Sequence, residues 1–453
     1  MKYFGLLCIM TTAMLGYTQS PDTLWTRTYG GAADDVGNSI GQTSDGGYII
    51  AGYTESFGTG QQDVWLLKID ATGDTVWTKT YGGINNDWAV AVRPTCDGGY
   101  VILANTESFG SGGNDIWLIK TDHLGNIIWA SIYDSGYQCD AGFDVQQTSD
   151  GGYIVAGSTF SDNFISPYAV LLLKTDAEGD SVWCQTYDSG ALDAAGCHVC
   201  ETFDGGYVVA GYRAVAPEAS SVARKVDVNG DTLWVLQPWA GRFYCVKEDN
   251  DSACVVCGVL WMESGIDVWA LLYTVKVDSQ GDILWTRTYG TFTNQMIGHS
   301  FDMTNDNAYI LTGQCGDVFF NPDVFLFKMN ENGNSLWCLV YGGAQSDLGN
   351  DVLQTNDGGY IVVGYTESYG AGGRDVYLIR TEPDVGIEEN EPAVITQKGI
   401  ITTIFRGPLQ LPEGKKCRVF DITGRGVEPT RITCGIYYIE VDGEISQKVI
   451  KIR

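Results

Sequence analysis

The chain has 453 residues, and its 27 Lys+Arg against 56 Asp+Glu leave a formal net charge of -29. That balance argues against nucleic acid or an anionic membrane surface as partner, since both are bound through positive charge that releases counterions. Length alone allows about two or three domains, but an internal repeat claims residues 22–382 for one body.

Residues 1–18 read as a secretory signal: Lys2 is the positive start, YFGLLCIMTTAML the apolar core, and Gly16 and Thr18 are small residues suited to cleavage before Gln19. The mature protein is therefore expected to be secreted or displayed at the cell surface. No later run approaches the roughly 18 to 20 uninterrupted apolar residues of a membrane helix, so no membrane span is expected. Of the 13 cysteines, Cys8 leaves with the signal, and the even remainder permits disulfides in an oxidising compartment without proving them.

Trp25, Trp77, Trp129, Trp183, Trp234, Trp285 and Trp337 stand 52, 52, 54, 51, 51 and 52 residues apart, and each opens a copy of one unit. Fixed self-similarity at this length, with strand-like segments and turn signals, points to β-propeller blades and not to a helical solenoid. In residues 35–83, DVGNSIGQT and YIIAGYTES are joined by SDGG, and VWLLKID and TVWTKTY by ATGD. Gly in such turns accepts the positive φ of a tight hairpin, so the unit reads as four antiparallel strands. Its middle strands are nearly continuous apolar runs, as expected of a sheet covered on both faces.

TLWTRTYGG at 23–31 is a fourth strand without a blade, and the last unit stops after its third strand, DVYLIRTE. The N-terminal strand should therefore pair with 375–382, close the ring and remove two exposed sheet edges. DGGY turns at 45, 97, 150, 204 and 357, with degenerate turns at 250–253 and 305–308, make the count seven blades. The expected class is all-β: a seven-bladed propeller of four-stranded antiparallel blades followed by a small Ig-like β-sandwich.

DATGDTVW, DAEGDSVW, DVNGDTLW and DSQGDILW resemble the tryptophan-docking repeat of quinoprotein-type propellers. The resemblance implies that each Trp wedges between adjacent blades. Quinoprotein dehydrogenases hold pyrroloquinoline quinone with an adjacent-Cys disulfide and a calcium carboxylate cluster; this chain has no Cys-Cys dipeptide, so no cofactor is expected. The turns are also similar to sialidase Asp-boxes, but the spacing differs by one residue on each side of the Gly.

Two CxxC pairs, Cys197/Cys200 and Cys254/Cys257, fall where the repeat demands strands. Residues i and i+3 of a strand point to opposite faces, so neither pair is expected to chelate a metal or close on itself; buried thiols or bridges to neighbouring strands fit better. His123 falls in a turn and His198 and His299 on first-strand copies, none beside a nucleophile in a suggestive motif. No catalytic residue and no metal site are assigned.

In such blades the first-to-second and third-to-fourth turns share one face of the disk, and the second-to-third loops share the other. Three of the latter are near copies, TESFGTGQQD, TESFGSGGND and TESYGAGGRD, in blades 1, 2 and 7. They place Glu55, Glu107 and Glu367 on one arc, with Asp63, Asp115 and Asp375 at the following strand starts. These carboxylates could collect calcium or act as an acid/base pair, but identical repetition favours each one capping its own loop. In blades 3 to 6 the copies diverge, and Phe164, Tyr168, Trp261, Phe319 and Phe320 supply aromatic surface suited to a glycan or a surface protein.

PDVGIEENEPA at 383–393 breaks the repeat as a linker. In 394–453, LPEGKKCRVFDITGRGV and GIYYIEVDGEISQKVIKIR resemble the C-terminal sorting domain of type IX (Por) secretion cargo, with RGPL where that family opens on PNPF. The resemblance implies a small Ig-like sandwich that engages the secretion machinery; the plainer alternative is an accessory domain. Cys417 and Cys434 could pair within it. The chain thus reads as a monomeric, non-enzymatic secreted or cell-surface binding protein, the alternative being a carbohydrate-active or quinoprotein-like enzyme working on the propeller face.

Overall fold

The computed structural model describes residues 20–453 apart from 112, 134–138, 161–167, 192, 216–217, 239–240, 265–266, 319, 385–400, 406–416, 422–426, 428–434, 442–443 and 452–453. The expected signal, most of the expected linker, Phe164, Phe319 and Cys434 lie outside the described residues. The chain divides into two units, 1–385 and 386–453.

The first unit is seven four-stranded antiparallel sheets. Blade 1 comprises Asp35–Gln42, Tyr48–Thr54, Asp63–Ile69 and Thr75–Tyr81, each hydrogen-bonded to the next. Its third strand is buried along its whole length and its second nearly so, while the fourth is largely exposed. The apolar side chains gather at the seams between blades: Ile49, Leu66, Val92, Ile102 and Trp117 form one such cluster between blades 1 and 2, and a comparable cluster fills every other junction. At ~25 cal/mol per Å² of apolar surface buried, the stability of the ring resides in these seams.

The ring closes as the chain ends require. Blade 7 takes Thr23–Tyr29 as its outer strand, antiparallel to Asp375–Thr381. The register is that of an uninterrupted blade: Trp25 stands opposite Arg380 as Trp77 stands opposite Lys68.

Adjacent blades are docked through the repeat aromatics. Six of the seven repeat Trp residues lie against the third-to-fourth turn of the next blade: a Cβ on Gly125, Gly179 or Gly281 would meet Trp77, Trp129 or Trp234 at 3.0, 2.7 and 2.8 Å. Where a tyrosine stands four residues on, it donates to the same turn, Tyr29 to Gly73 O at 2.5 Å and Tyr81 to Gly125 O at 2.6 Å, while blade 4 has Pro238 at that place. Blade 7 has no such turn because the termini interrupt it, and there Tyr341 accepts from the Thr23 hydroxyl at 3.1 Å.

Within every blade a buried cation on the third strand reaches the first-to-second turn. The pairs are Lys68–Asp45, Lys120–Asp97, Lys174–Asp150, Lys225–Asp204, Lys276–Asp249, Lys328–Asp306 and Arg380–Asp357, with N···O distances from 2.5 to 3.0 Å. The lysine also donates to its neighbour's carbonyl, Lys68 to Ile69 O at 3.0 Å. The turn itself needs positive φ, supplied by Gly46 at 82° in blade 1, whereas Ser252 and Asn307 adopt 58° in the degenerate turns of blades 5 and 6. Propeller contacts run on to Asp384, whose carboxylate accepts from Lys328 at 2.6 Å and Tyr360 at 2.9 Å.

In the second unit the described strands Ile401–Phe405, Cys417–Asp421, Gly435–Val441 and Glu444–Lys451 form one mixed sheet, with Ile401–Phe405 parallel to Glu444–Lys451. The expected sandwich is thus represented among the described residues by a single sheet. No helix among the described residues is long and apolar enough to cross a membrane.

Deleting residues 23–29 leaves Asp375–Thr381 as an open edge, and the truncated chain is expected to unfold at lower urea and to aggregate; light scattering during a urea titration checks this. A second expectation concerns acid. Burial raises the Asp97 carboxyl, but hydrogen bonds from Lys120, Thr95 and Gly99 outweigh it and hold the group down at about 2, below its ordinary 3.8. The bonds' contribution is then complete above pH 3.8 and lost as pH falls toward 2. Asp97→Asn should cost about 1 kcal/mol near neutrality, as expected of a half-exposed charged hydrogen bond, and the gap to the parent should close over that acid window in urea titrations at stepped pH.

Candidate binding face

The second-to-third connections divide the ring into two kinds of blade. In blades 1, 2 and 7 the middle strands stop early, and the connection folds back on itself. Asp63 caps its loop by accepting from Thr59 N and Gly60 N, both at 2.9 Å, and Asp375 accepts from Ala371 N at 2.9 Å and Gly372 N at 3.3 Å. Asp115 occupies the same place, against Gly110 with φ 95°. The first aspartate of each of these blades ties the loop to the inter-blade crossing: Asp35 accepts from Gly31 N and the Ser56 hydroxyl, both at 2.7 Å, and Asp87 and Asp347 repeat the arrangement.

The three glutamates bond locally. Glu55 accepts from Gln62 at 2.9 Å, Glu107 from Asn86 at 2.9 Å, and Glu367 from Arg374 at 3.0 Å. Each loop also lays an aromatic ring on its blade's third strand: Phe57 on Trp65 at 5.7 Å, Phe109 on Trp117 at 5.0 Å, and Tyr369 on Tyr377 at 6.0 Å. A groove of about 300 Å³ opens between blades 7 and 1, with Phe57, Trp65, Tyr29 and Thr78 in its wall.

In blades 4, 5 and 6 the paired middle strands run almost to the connection, whereas in blade 3 residues 161–167 between them lie outside the described residues. The middle strands have 8 or 9 residues in blades 3, 4 and 6 and 11 in blade 5, against 7 in blades 1, 2 and 7. The blade 5 hairpin, Cys254–Ser264 with Asp267–Val277, carries Trp261 opposite Ala270 and Met262 opposite Trp269. Side chains alternate between the two faces. One face puts Trp261 against Val259, Ala270, Ile297 and Val318 at the seam with blade 6. On the other, Trp269 meets Phe292 edge-on at 5.5 Å, and Met262 and Phe292 are 37% and 55% exposed.

Of the aromatic residues singled out from sequence, Trp261 and the turn bearing Phe320 meet at the blade 5/6 seam through Val318. Phe320 is 76% exposed, with its carbonyl accepting from Ser346 at 3.2 Å. Tyr168 instead packs into the seam between blades 3 and 4. Sequence reasoning passed over Met262, Trp269 and Phe292. The signal was present: Trp269 occupies the DVW slot of Trp65 and Trp117, and its blade lacks the loop aromatic that covers those two.

The wall of the central channel is the second place where symmetry breaks. The first strand of each blade carries a β-bulge at the same position, as between Gly37 and Ser39 or Gly142 and Asp144. Just beyond it, Arg93 donates to Asp144 at 2.8 Å, Lys247 pairs with Asp302 at 2.6 Å, and Ser300 donates to Asp351 at 2.7 Å. His198 lies 3.4 Å from Asp144. Burial pushes His299 down to about 4, its Nδ1 lying 3.0 Å from Gly349 O. Among the described residues no group of three or more His, Cys, Asp or Glu is gathered as a metal would need. Cys254 and Cys257 fall in different inter-blade clusters, on opposite faces of their strand.

No protein-family model and no curated protein matches this chain. Among solved structures, puromycin hydrolase is similar at 12% identity and a TM-score of 0.50, over 95% of this chain and 61% of that one. Polysaccharide lyase Uly1 (13% identity, TM-score 0.49, 82% of this chain and 94% of that one) and the Dos1 propeller (9%, 0.48, 80% and 95%) are further matches. At these identities the likeness concerns the fold alone.

Gly58 has φ 104°, and a Cβ there would stand 2.2 Å from the Asp63 carboxylate. Gly58→Ala is therefore expected to lower stability by about 1 to 3 kcal/mol, read from the urea midpoint, and to raise proteolytic cleavage within residues 55–62.

Proposed function

We propose that this protein is an exported, non-enzymatic binding protein whose ligand, a glycan or a surface protein, docks on the divergent second-to-third side of blades 3 to 6. The observation that carries this reading is the blade 5 hairpin, which extends beyond the folded loops of blades 1, 2 and 7 and leaves Met262 and Phe292 exposed around Trp269. Apolar and aromatic surface held on paired strands binds with little ordering cost. The acidic arc of blades 7, 1 and 2 has its carboxylates committed to loop capping and local pairs, which favours a structural role for it.

The C-terminal module, on its likeness to type IX sorting domains, delivers the propeller to the cell surface after the signal has directed export. The Trp docking over the next blade's turn supports the likeness to quinoprotein-type repeats as an architectural one.

Two experiments test the reading. On a glycan and surface-protein array, Trp269→Ala, Phe292→Ala and Phe320→Ala should each weaken binding by about 1 to 3 kcal/mol, while Glu55→Gln, Glu107→Gln and Glu367→Gln leave it unchanged. The opposite pattern would move the function to blades 7, 1 and 2 and favour a carbohydrate-active or calcium-dependent site. In a host with type IX secretion, removal of residues 394–453 should leave a folded propeller in the periplasm; normal surface delivery of the truncated chain would remove the sorting role.

A further inference from the structure

We propose that Cys245 and Cys257 form a redox-active dithiol that an external disulfide oxidises to a cross-strand bridge, stapling the first hairpin of blade 5. The two residues are direct antiparallel partners, Cys245 on Gly241–Glu248 and Cys257 on Cys254–Ser264. Directly opposed residues of an antiparallel pair have Cα atoms about 4.5 to 5.5 Å apart, inside the range of about 4.4 to 6.8 Å that a disulfide spans. Both thiols are free, both are fully buried, and both belong to one core cluster. Cys245 Sγ lies 3.9 Å from the Phe301 carbonyl, to which it donates.

Two features set this pair apart from the other cysteines. The hairpin it spans is one whose tight turn has lost its glycine: Ser252 takes φ 58° where blades 1 to 4 use glycine. A bridge would hold a turn that is locally strained. The Cys245 thiol also lies within reach of charged groups on the inner strands. Burial raises the Cys245 thiol, but the hydrogen bond from Cys257 and the nearby His198 and Lys247 outweigh it and carry it well below its usual value. Cys245 is thus the more readily ionised of the two thiols and the one that attacks once the hairpin opens.

The exchange is balanced without any further reactant. The Cys245 thiolate attacks an external disulfide, RSSR, forming a mixed disulfide and releasing one RS⁻. Cys257 then gives up its proton and attacks the Cys245 sulfur, closing the bridge and releasing the second RS⁻. The protein loses two electrons, and the external disulfide gains them. Because both thiols are buried, the attack follows local opening of the hairpin.

The test uses the purified full-length chain, equilibrated with oxidised glutathione, then denatured in acid, alkylated and digested with trypsin without reductant. Cleavage after Arg242, Lys247 and Lys276 places Cys245 in peptide 243–247 and Cys254 with Cys257 in peptide 248–276. The expected product is the two peptides joined, the link persisting in Cys254→Ser and vanishing in Cys257→Ser. Fragment ions of the wild-type product make the same assignment where a variant does not fold. Hydrogen exchange of the backbone between the two cysteines should slow about tenfold on oxidation. Full alkylation of both thiols at equilibrium, or a link from Cys245 to Cys254, would overturn the proposal.

Discussion

A buried ammonium or guanidinium group on the third strand, tied to an aspartate on the first turn, is the constraint around which each blade is arranged. The seven cations have side chains no more than 9% exposed, while six of their seven aspartates are about half exposed or more. A cation so placed is tolerable only if its donors are met, and the DGG turn meets them with a carboxylate and the strand with a carbonyl. The same residue stands opposite the repeat Trp, Lys120 opposite Trp129 for example. One position therefore joins the first turn, the third strand and the outer strand that docks on the next blade. Blade 5 keeps the pair by a substitution of place: Asp249 stands where the other blades have Thr, and it replaces the turn aspartate as the closer partner at 2.5 Å, with Asp251 at 4.0 Å.

With the blades held in this way, the loops are free to differ, and the ring uses that freedom unevenly. Blades 7, 1 and 2 repeat one solution, an aspartate capping a glycine-rich loop. Blades 4 to 6 abandon the loop for paired strands. A folded loop satisfies its backbone donors with carboxylates, so its acids are consumed by architecture; a hairpin satisfies them with its own ladder and leaves its side chains available. This difference is why the acidic arc and the aromatic arc invite opposite functional readings.

The architecture was legible because a propeller repeats every local decision. The Trp spacing, the DGG turns and the surplus strand at 23–29 each implied the same ring, and the register of Trp25 with Arg380 agrees with all three. The buried cation was equally visible as the Lys of LLKID, LIKTD and LLKTD, yet a lone Lys near a strand end reads as a solvated end until its burial is seen. The binding face was harder to read. The diverged loops marked the arc of blades 3 to 6 for the proposed face, but which aromatics are exposed there depends on strand register: Trp261 turns inward to Val318 and Trp269 outward to Phe292, one residue of register apart.

The closing pair has a bearing on the order in which the chain can fold. Thr26 lies opposite Ile379, so the strand at 23–29 has its partner almost at the far end of the propeller. Blades 1 to 6 are contiguous in sequence and can pair as they emerge, but the outer strand of blade 7 must stay unpaired throughout synthesis. Contacts of such sequence separation form slowly. Closing the ring therefore joins the propeller's outer strand at 23–29 to its last strand at 375–381, a pairing that cannot form until the whole propeller sequence has been made.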